Sequence, residues 1–169
     1  VVWTDTRNGD GNADIYGATV DPATYTATEF PVCTAPGDQT QPAVQGSRVV
    51  WTDARSGEGT DIWVYDTASS AESQVSCSGA ASKPDVSGTL VVWQDAGGDK
   101  ANPDVRGCDL NWGVQFAVCE AAGAQTDPDA AGNVVDLTYD EAGRLKQEDI
   151  TPSAGKKLDA ARFGRTFTY

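Results

Sequence analysis

The chain has 169 residues, 25 acidic and 12 basic, no histidine, and a net charge of −13. A surface so acidic repels polyanions, which argues against nucleic acid and anionic membranes as partners, and without histidine the usual base of Ser-His-Asp or Cys-His catalysis is missing. No apolar run approaches the roughly 18–20 residues needed to span a bilayer, which argues against membrane insertion.

The chain opens on Val1-Val2-Trp3-Thr4-Asp5, which recurs as Val49-Val50-Trp51-Thr52-Asp53 and as Val91-Val92-Trp93-Gln94-Asp95. Opening inside a repeat, with no methionine anywhere in the chain, leads to the expectation that the natural start lies upstream. Each copy continues in parallel, through Asp14-Ile15-Tyr16, Asp61-Ile62-Trp63 and Asp104-Val105-Arg106, and then to Cys33, Cys77 and Cys119. A proline-led run precedes each later copy: Pro42-Ala43-Val44-Gln45-Gly46, Pro84-Asp85-Val86-Ser87-Gly88 and Pro128-Asp129-Ala130-Ala131-Gly132. The unit is therefore four short β runs separated by turn residues.

Each run carries its own physical reading. Val-Val-Trp is β-branched and aromatic without polar alternation, which predicts a strand covered on both faces. In Asp61-Ile62-Trp63-Val64-Tyr65-Asp66, Ile62 and Val64 share one face and Trp63 and Tyr65 the other, so neighbouring units must cover both. The proline opens its run, where a missing N–H disturbs a ladder least, and the following glycine makes the hairpin into Val-Val-Trp. Arg7-Asn8-Gly9-Asp10-Gly11-Asn12 and Arg55-Ser56-Gly57-Glu58-Gly59 are turn chemistry.

Four strands per unit of about 40–45 residues is the pattern of a propeller blade. The Pro-x-Val-x-Gly run, Val-Val-Trp-x-Asp and Asp-Ile-Tyr or Asp-Ile-Trp together resemble the bacterial TolB-type propeller repeat over residues 1–135. The resemblance implies an all-β fold and an extracytoplasmic binding or scaffolding module, with no catalytic, cofactor or metal residues to carry over. In that frame the chain lacks the first strand of blade one, holds two complete blades and begins a fourth at Pro128. About three blades cannot close a ring of typically 4–8, so the remaining blades of a parent protein are implied partners.

The fourth unit departs from the pattern, because Val134-Val135 is followed by Asp136 and then Leu137-Thr138-Tyr139-Asp140-Glu141-Ala142-Gly143-Arg144-Leu145. Tyr-Asp-x-x-Gly-Arg-Leu resembles the YD repeat of Rhs and teneurin-like proteins, and a second Gly-Arg stands at Gly164-Arg165. Residues 1–138 hold 20 acids and 6 bases, whereas 139–169 hold 5 acids and 6 bases, a change of regime that favours this reading over a degenerate last blade. The expected organisation is thus TolB-like blades over 1–135 and an Rhs-like β segment over 136–169.

Candidate chemistry is sparse. Asp53, Asp61 and Asp95 recur at strand ends and read as structural turns. Ser56-Gly57-Glu58-Gly59-Thr60-Asp61-Ile62-Trp63 comes near the Asp-box of sialidase propellers, but Glu58 and Thr60 depart from it. Asn8-Gly9-Asp10-Gly11-Asn12-Ala13-Asp14 resembles a calcium loop, yet Thr6 stands where the first ligand should be and no glutamate closes it, so a solvated hairpin turn is preferred. Trp3, Trp51, Trp63 and Trp93 occupy core positions of the repeat. Trp112, at the hairpin tip Asn111-Trp112-Gly113, is the one tryptophan free to act as a sugar platform. The four cysteines lack metal-site spacing and favour disulfides or buried thiols. A loop centred between Gly113 and Val114 would place Cys108 opposite Cys119, which predicts a disulfide between them, with Cys33 and Cys77 as two buried thiols.

These readings converge on a non-catalytic binding or scaffold module of a large secreted or cell-surface repeat protein. It would be extracellular, surface-bound or periplasmic, taking a protein or carbohydrate ligand at the propeller face or loops. The alternative is the shell or delivery portion of an Rhs-type polymorphic toxin whose enzymatic domain lies outside this chain.

Overall fold

The computed structural model describes residues 1–9, 12–97 and 101–130, together with the strand backbones of 134–139 and 145–151. The strands are β1 (Val2–Asp5), β2 (Asp14–Val20), β3 (Ala27–Cys33), β4 (Gln39–Gln45), β5 (Arg48–Asp53), β6 (Asp61–Asp66), β7 (Ala71–Gln74), β8 (Ala81–Ser87), β9 (Leu90–Asp95), β10 (Asp104–Asp109), β11 (Val114–Cys119), β12 (Val134–Tyr139) and β13 (Leu145–Thr151). Among the described residues no helix is long and apolar enough to cross a membrane.

The chain divides into two compact units, Val1–Ala130 and Ala131–Tyr169. The first holds three antiparallel sheets in chain order, β1-β2-β3, β4-β5-β6-β7 and β8-β9-β10-β11. One three-stranded and two four-stranded sheets match the expected repeat, and none closes on itself. In the second unit β12 and β13 pair antiparallel, Val134 opposite Thr151. Of the YD-like motif, Tyr139 ends β12 and Leu145 begins β13, while residues 140–144 and the second Gly-Arg lie outside the described residues.

The core lies between sheets. Ile15, Val32 and Cys33 of the first sheet enclose Val49 and Trp51 of the second, with Trp63 and Tyr65 packed against them. From the opposite face Val50, Ile62 and Val64 meet Val86, Val91 and Trp93 of the third sheet. Successive residues of β5 thus serve different neighbours, which is why Val49-Val50-Trp51 lacks polar alternation and why Trp51 is 0% exposed.

Short turns set the registers. Gln45 pairs with Arg48 and Ser87 with Leu90 across two-residue loops whose first residues, Gly46 and Gly88, both have φ +59, a backbone that glycine adopts without strain. The outer hairpins use a four-residue loop opened by an aspartate: the Oδ1 atoms of Asp21, Asp66 and Asp109 accept the amides of Ala23, Ala68 and Asn111. Each loop ends in a left-handed residue, Tyr25, Ser70 or Gly113.

That construction corrects the cysteine pairing. Asp109 pairs with Val114, so the loop is Leu110–Gly113, and Cys108 lies opposite Gln115 while Cys119 lies opposite Val105. Four strand residues at about 3.3 Å each separate Cys119 from the place a disulfide needs, and all four cysteines are free thiols. A further correction concerns Cys77. Ser76, not Cys77, donates its amide to Ile62, at the position where Cys33 pairs with Ile15, which leaves Cys77 exposed while Cys33 and Cys108 are buried. Burial pushes both buried thiols up to about 11, suppressing the reactive thiolate. Under non-reducing conditions an alkylating reagent should therefore label Cys77 first and Cys33 and Cys108 only on unfolding. A Cys108–Cys119 peptide in a non-reducing digest would overturn the register.

Candidate functional site

Each sheet carries a clamp built from a Trp-x-Asp step. In the second sheet the Trp51 indole donates to Asp53 Oδ2 at 2.7 Å. Arg55 donates its backbone amide and Nε to Oδ1 at 2.8 and 3.0 Å, and its Nη2 to Oδ2 at 2.7 Å. The guanidinium lies over the Trp63 ring, 3.7 Å from its centroid, and its other nitrogen reaches Glu72 at 2.7 Å. The clamp thus ties three strands of one sheet together, and a contact of Arg55 Nη2 with Cys33 Sγ extends it to the preceding sheet.

The first sheet repeats the clamp with Trp3, Asp5, Arg7, Tyr16 and Glu29. The Arg7 guanidinium and the Trp3 indole hold the Asp5 carboxyl well below the usual carboxylate range. The third sheet departs from it. Trp93 Nε1 donates to Asp95 at 3.2 Å and the Gly97 amide at 2.9 Å, but glycine stands where the arginine should be. Arg106 occupies the aromatic position and pairs with Glu120 at 2.8 Å. Asp53, Asp61 and Asp95, read from the sequence as turn carboxylates, all satisfy local donors: Asp61 accepts Ser76 Oγ and the Gly79 amide.

A second recurring feature lies on β4, on β8 and on the segment that enters Pro128. Gln41, Lys83 and Asp127, each directly before a proline, have φ of 55, 53 and 53. A residue before proline is ordinarily extended, and here the left-handed step coincides with the register shifts between Thr40 and Ala43 and between Ser82 and Asp85, a β-bulge that re-aims the strand. The bulges are joined in series. The Lys83 amide donates to Gln41 Oε1 at 2.9 Å, Lys83 Nζ pairs with Asp127 at 2.8 Å, and the Ala130 amide reaches Asp85 at 2.7 Å. With Asp129 they line a shallow pocket of about 450 Å³. The incoming segments also repeat one joint: the amides of Gln39, Ala81 and Gln125 donate to the carbonyls of Ala13, Thr60 and Pro103. The segment entering Pro128 thus docks on the third sheet as β4 and β8 dock on theirs.

No protein-family model matches the chain, and no curated protein matches it. Solved structures do. TolB from Acinetobacter baumannii aligns with a TM-score of 0.51 at 17% identity, over 74% of this chain and 31% of that one. A putative TolB from Agrobacterium tumefaciens aligns with a TM-score of 0.52 at 13% identity, over 87% of this chain and 58% of that one. The fold is a partial β-propeller. At these identities the likeness is one of fold, and the chain spans less than two thirds of either protein.

The remaining sequence candidates find their places in the blades. In the Asn8–Asp14 loop, Asp10 and Gly11 lie outside the described residues, and Asp14 accepts the side-chain amides of Asn8 and Asn12. Among the described residues no group of three or more His, Cys, Asp or Glu is placed to hold a metal ion. Trp112 is 68% exposed at its hairpin tip, with no neighbouring aromatic to build a platform among the ring contacts of the described residues. Sequence reading missed the arginine half of the clamp. Its signal was the joint presence of Arg7 with Tyr16 and of Arg55 with Trp63, and their joint loss at Gly97 and Arg106.

Proposed function

We propose that the chain is a non-catalytic binding or scaffold module of a larger secreted, cell-surface or periplasmic repeat protein, and that its ligand engages the face where the inner strands converge. The observation that supports this reading is the series of left-handed residue–proline steps, which brings Lys83, Asp85, Asp127 and Asp129 to one pocket. Three carboxylates against one ammonium favour a ligand presenting cationic groups, as a basic protein segment does more readily than a neutral sugar. A lysine-rich peptide titrated at low ionic strength should bind, weaken with salt, and lose about tenfold in affinity in D127N/D129N, the effect of two near-surface charge contacts. D21N, on a hairpin loop away from the pocket, should bind as the parent chain does. Equal losses in both variants would assign the binding to bulk charge and remove the pocket from the reading.

A second reading, the shell portion of an Rhs-type toxin, is favoured by Tyr139-Asp140-Glu141-Ala142-Gly143-Arg144-Leu145 and by the hairpin of the strands on either side of it. The sequence of the parent gene distinguishes the two: many further YD repeats followed by an enzymatic domain support the toxin, whereas more blades or a surface anchor support the scaffold.

A further inference from the structure

The three blades carry the same clamp with one part missing from the third. In blade two four donors converge on Asp53: the Trp51 indole, the Arg55 amide, and two nitrogens of the Arg55 guanidinium. In blade three Asp95 keeps the first two, from Trp93 and the Gly97 amide, and loses the two that a guanidinium supplies. Among the described residues no cation bridges Asp95. Beside Asp95, at the place that corresponds to the arginine of blade two, lies a half-open cavity of about 310 Å³, lined by Asp95, Gly97, Arg106, Phe116 and, from the preceding blade, Ser76 and Cys77. That volume lies at the lower end of small-molecule sites, roughly 300–1,000 Å³.

We propose that this cavity is a binding site for a guanidinium group carried by a ligand, which completes in trans the clamp that Arg7 and Arg55 complete in cis. Asp95 receives the guanidinium through both carboxylate oxygens, the fork-to-fork geometry that Asp53 and Arg55 display. Phe116 supplies apolar lining. Ser76 and Cys77 stand where Cys33 meets the Arg55 guanidinium in blade two. Lysine's compact ammonium cannot reproduce the planar fork, so guanidinium is preferred over a simple amine.

Arg106 is the internal rival. It lines the same cavity, but its guanidinium is paired with Glu120 at 2.8 Å and lies beyond bridging distance of Asp95. It therefore opposes an incoming cation by repulsion without filling the clamp. This sets opposite expectations for the two charged residues. Removing Asp95 abolishes binding, and removing Arg106 strengthens it.

The test uses ethylguanidinium as probe, with ethylammonium and the neutral ethylurea as controls, and two readouts on the whole 169-residue chain: titration calorimetry, and protection of the exposed Cys77 from alkylation. Ethylguanidinium should bind and protect Cys77, with ethylammonium at least about fivefold weaker and ethylurea silent. D95N should lose both signals, and R106A should bind more tightly. D127N/D129N should bind the probe unchanged, which separates this site from the inner-strand pocket. Undiminished binding in D95N overturns the proposal, as does loss of binding in R106A, which would make the cavity an anion site centred on Arg106.

Discussion

Replacing Asp53 with asparagine should lower the stability of the chain by about 3 kcal/mol, while the same change at Asp5 should alter it little. Asp53 is 2% exposed and its side chain is fully buried beside Arg55. It accepts hydrogen bonds from the Trp51 indole, the Arg55 amide and the Arg55 guanidinium. An asparagine offers one acceptor oxygen and turns an NH2 toward donors, leaving a buried indole or a guanidinium unpartnered. Breaking a buried ion pair from one side costs about 3–5 kcal/mol, and the lower figure applies because the Arg55 side chain is 22% exposed and keeps its bond to Glu72. The Asp5 clamp has the same partners, but Arg7 is 45% exposed, and water replaces much of what the mutation removes. Urea denaturation with an unchanged m value reads the difference. Equal losses in D5N and D53N would mean that burial between blades is not what makes the clamp strong.

Among the described glycines, G59A should be the most damaging single methyl addition, at about 3–4 kcal/mol, against about 1–2 kcal/mol for G57A two residues earlier. Both glycines have positive φ, +126 at Gly59 and +72 at Gly57, and placing a Cβ in the left-handed region alone costs about 1–2 kcal/mol. At Gly57 a Cβ would enter open space, whereas at Gly59 it would stand 2.0 Å from the carbonyl oxygen of Gly79. That oxygen is backbone and cannot swing aside. It accepts the Thr60 amide at 3.1 Å in the bridge that joins the β5–β6 loop of blade two to the entry of blade three, so the bridge must open. Overpacking of this kind adds a further 1–3 kcal/mol. Similar melting temperatures for G57A and G59A would show that the Gly59–Gly79 approach is not tight in solution.

Much of the fold could be read from the residues because burial on both faces leaves a mark in sequence. Val49-Val50-Trp51 has no polar alternation, and the structure sends Trp51 toward blade one and Val50 toward blade three. Ile62 and Val64 likewise separate from Trp63 and Tyr65, since a strand's two faces follow residue parity. The glycine hairpins at Gly46 and Gly88 were legible for a similar reason: two residues decide the turn.

Register in the outer hairpins was not legible from the cysteines. The Asp109 side chain and the left-handed backbone at Gly113 centre the loop two residues earlier than a turn centred on Gly113-Val114. That shift moves the residue opposite Cys108 by four positions, from Cys119 to Gln115, and with it the disulfide disappears. Cys77 illustrates the same sensitivity, because one residue separates the buried position held by Ser76 from solvent.

The sequence by itself determined the four-strand repeat, the strands buried on both faces, and the departure from the pattern after Val135, since these depend on local composition and on periods that survive in one dimension. Only the tertiary structure decided which of the repeated carboxylates lies beneath an arginine and which faces a cavity. Asp53 and Asp95 follow a tryptophan two residues earlier, Trp51 and Trp93, and differ along the chain in what stands two residues later, Arg55 or Gly97. They differ because Arg55 folds back between a tryptophan eight residues on and a glutamate on the outer strand, while Gly97 leaves that space to a cavity walled by the preceding blade. The sequence marks the exchanged residues, but the walls of the cavity are a relation between two sheets that no local pattern encodes.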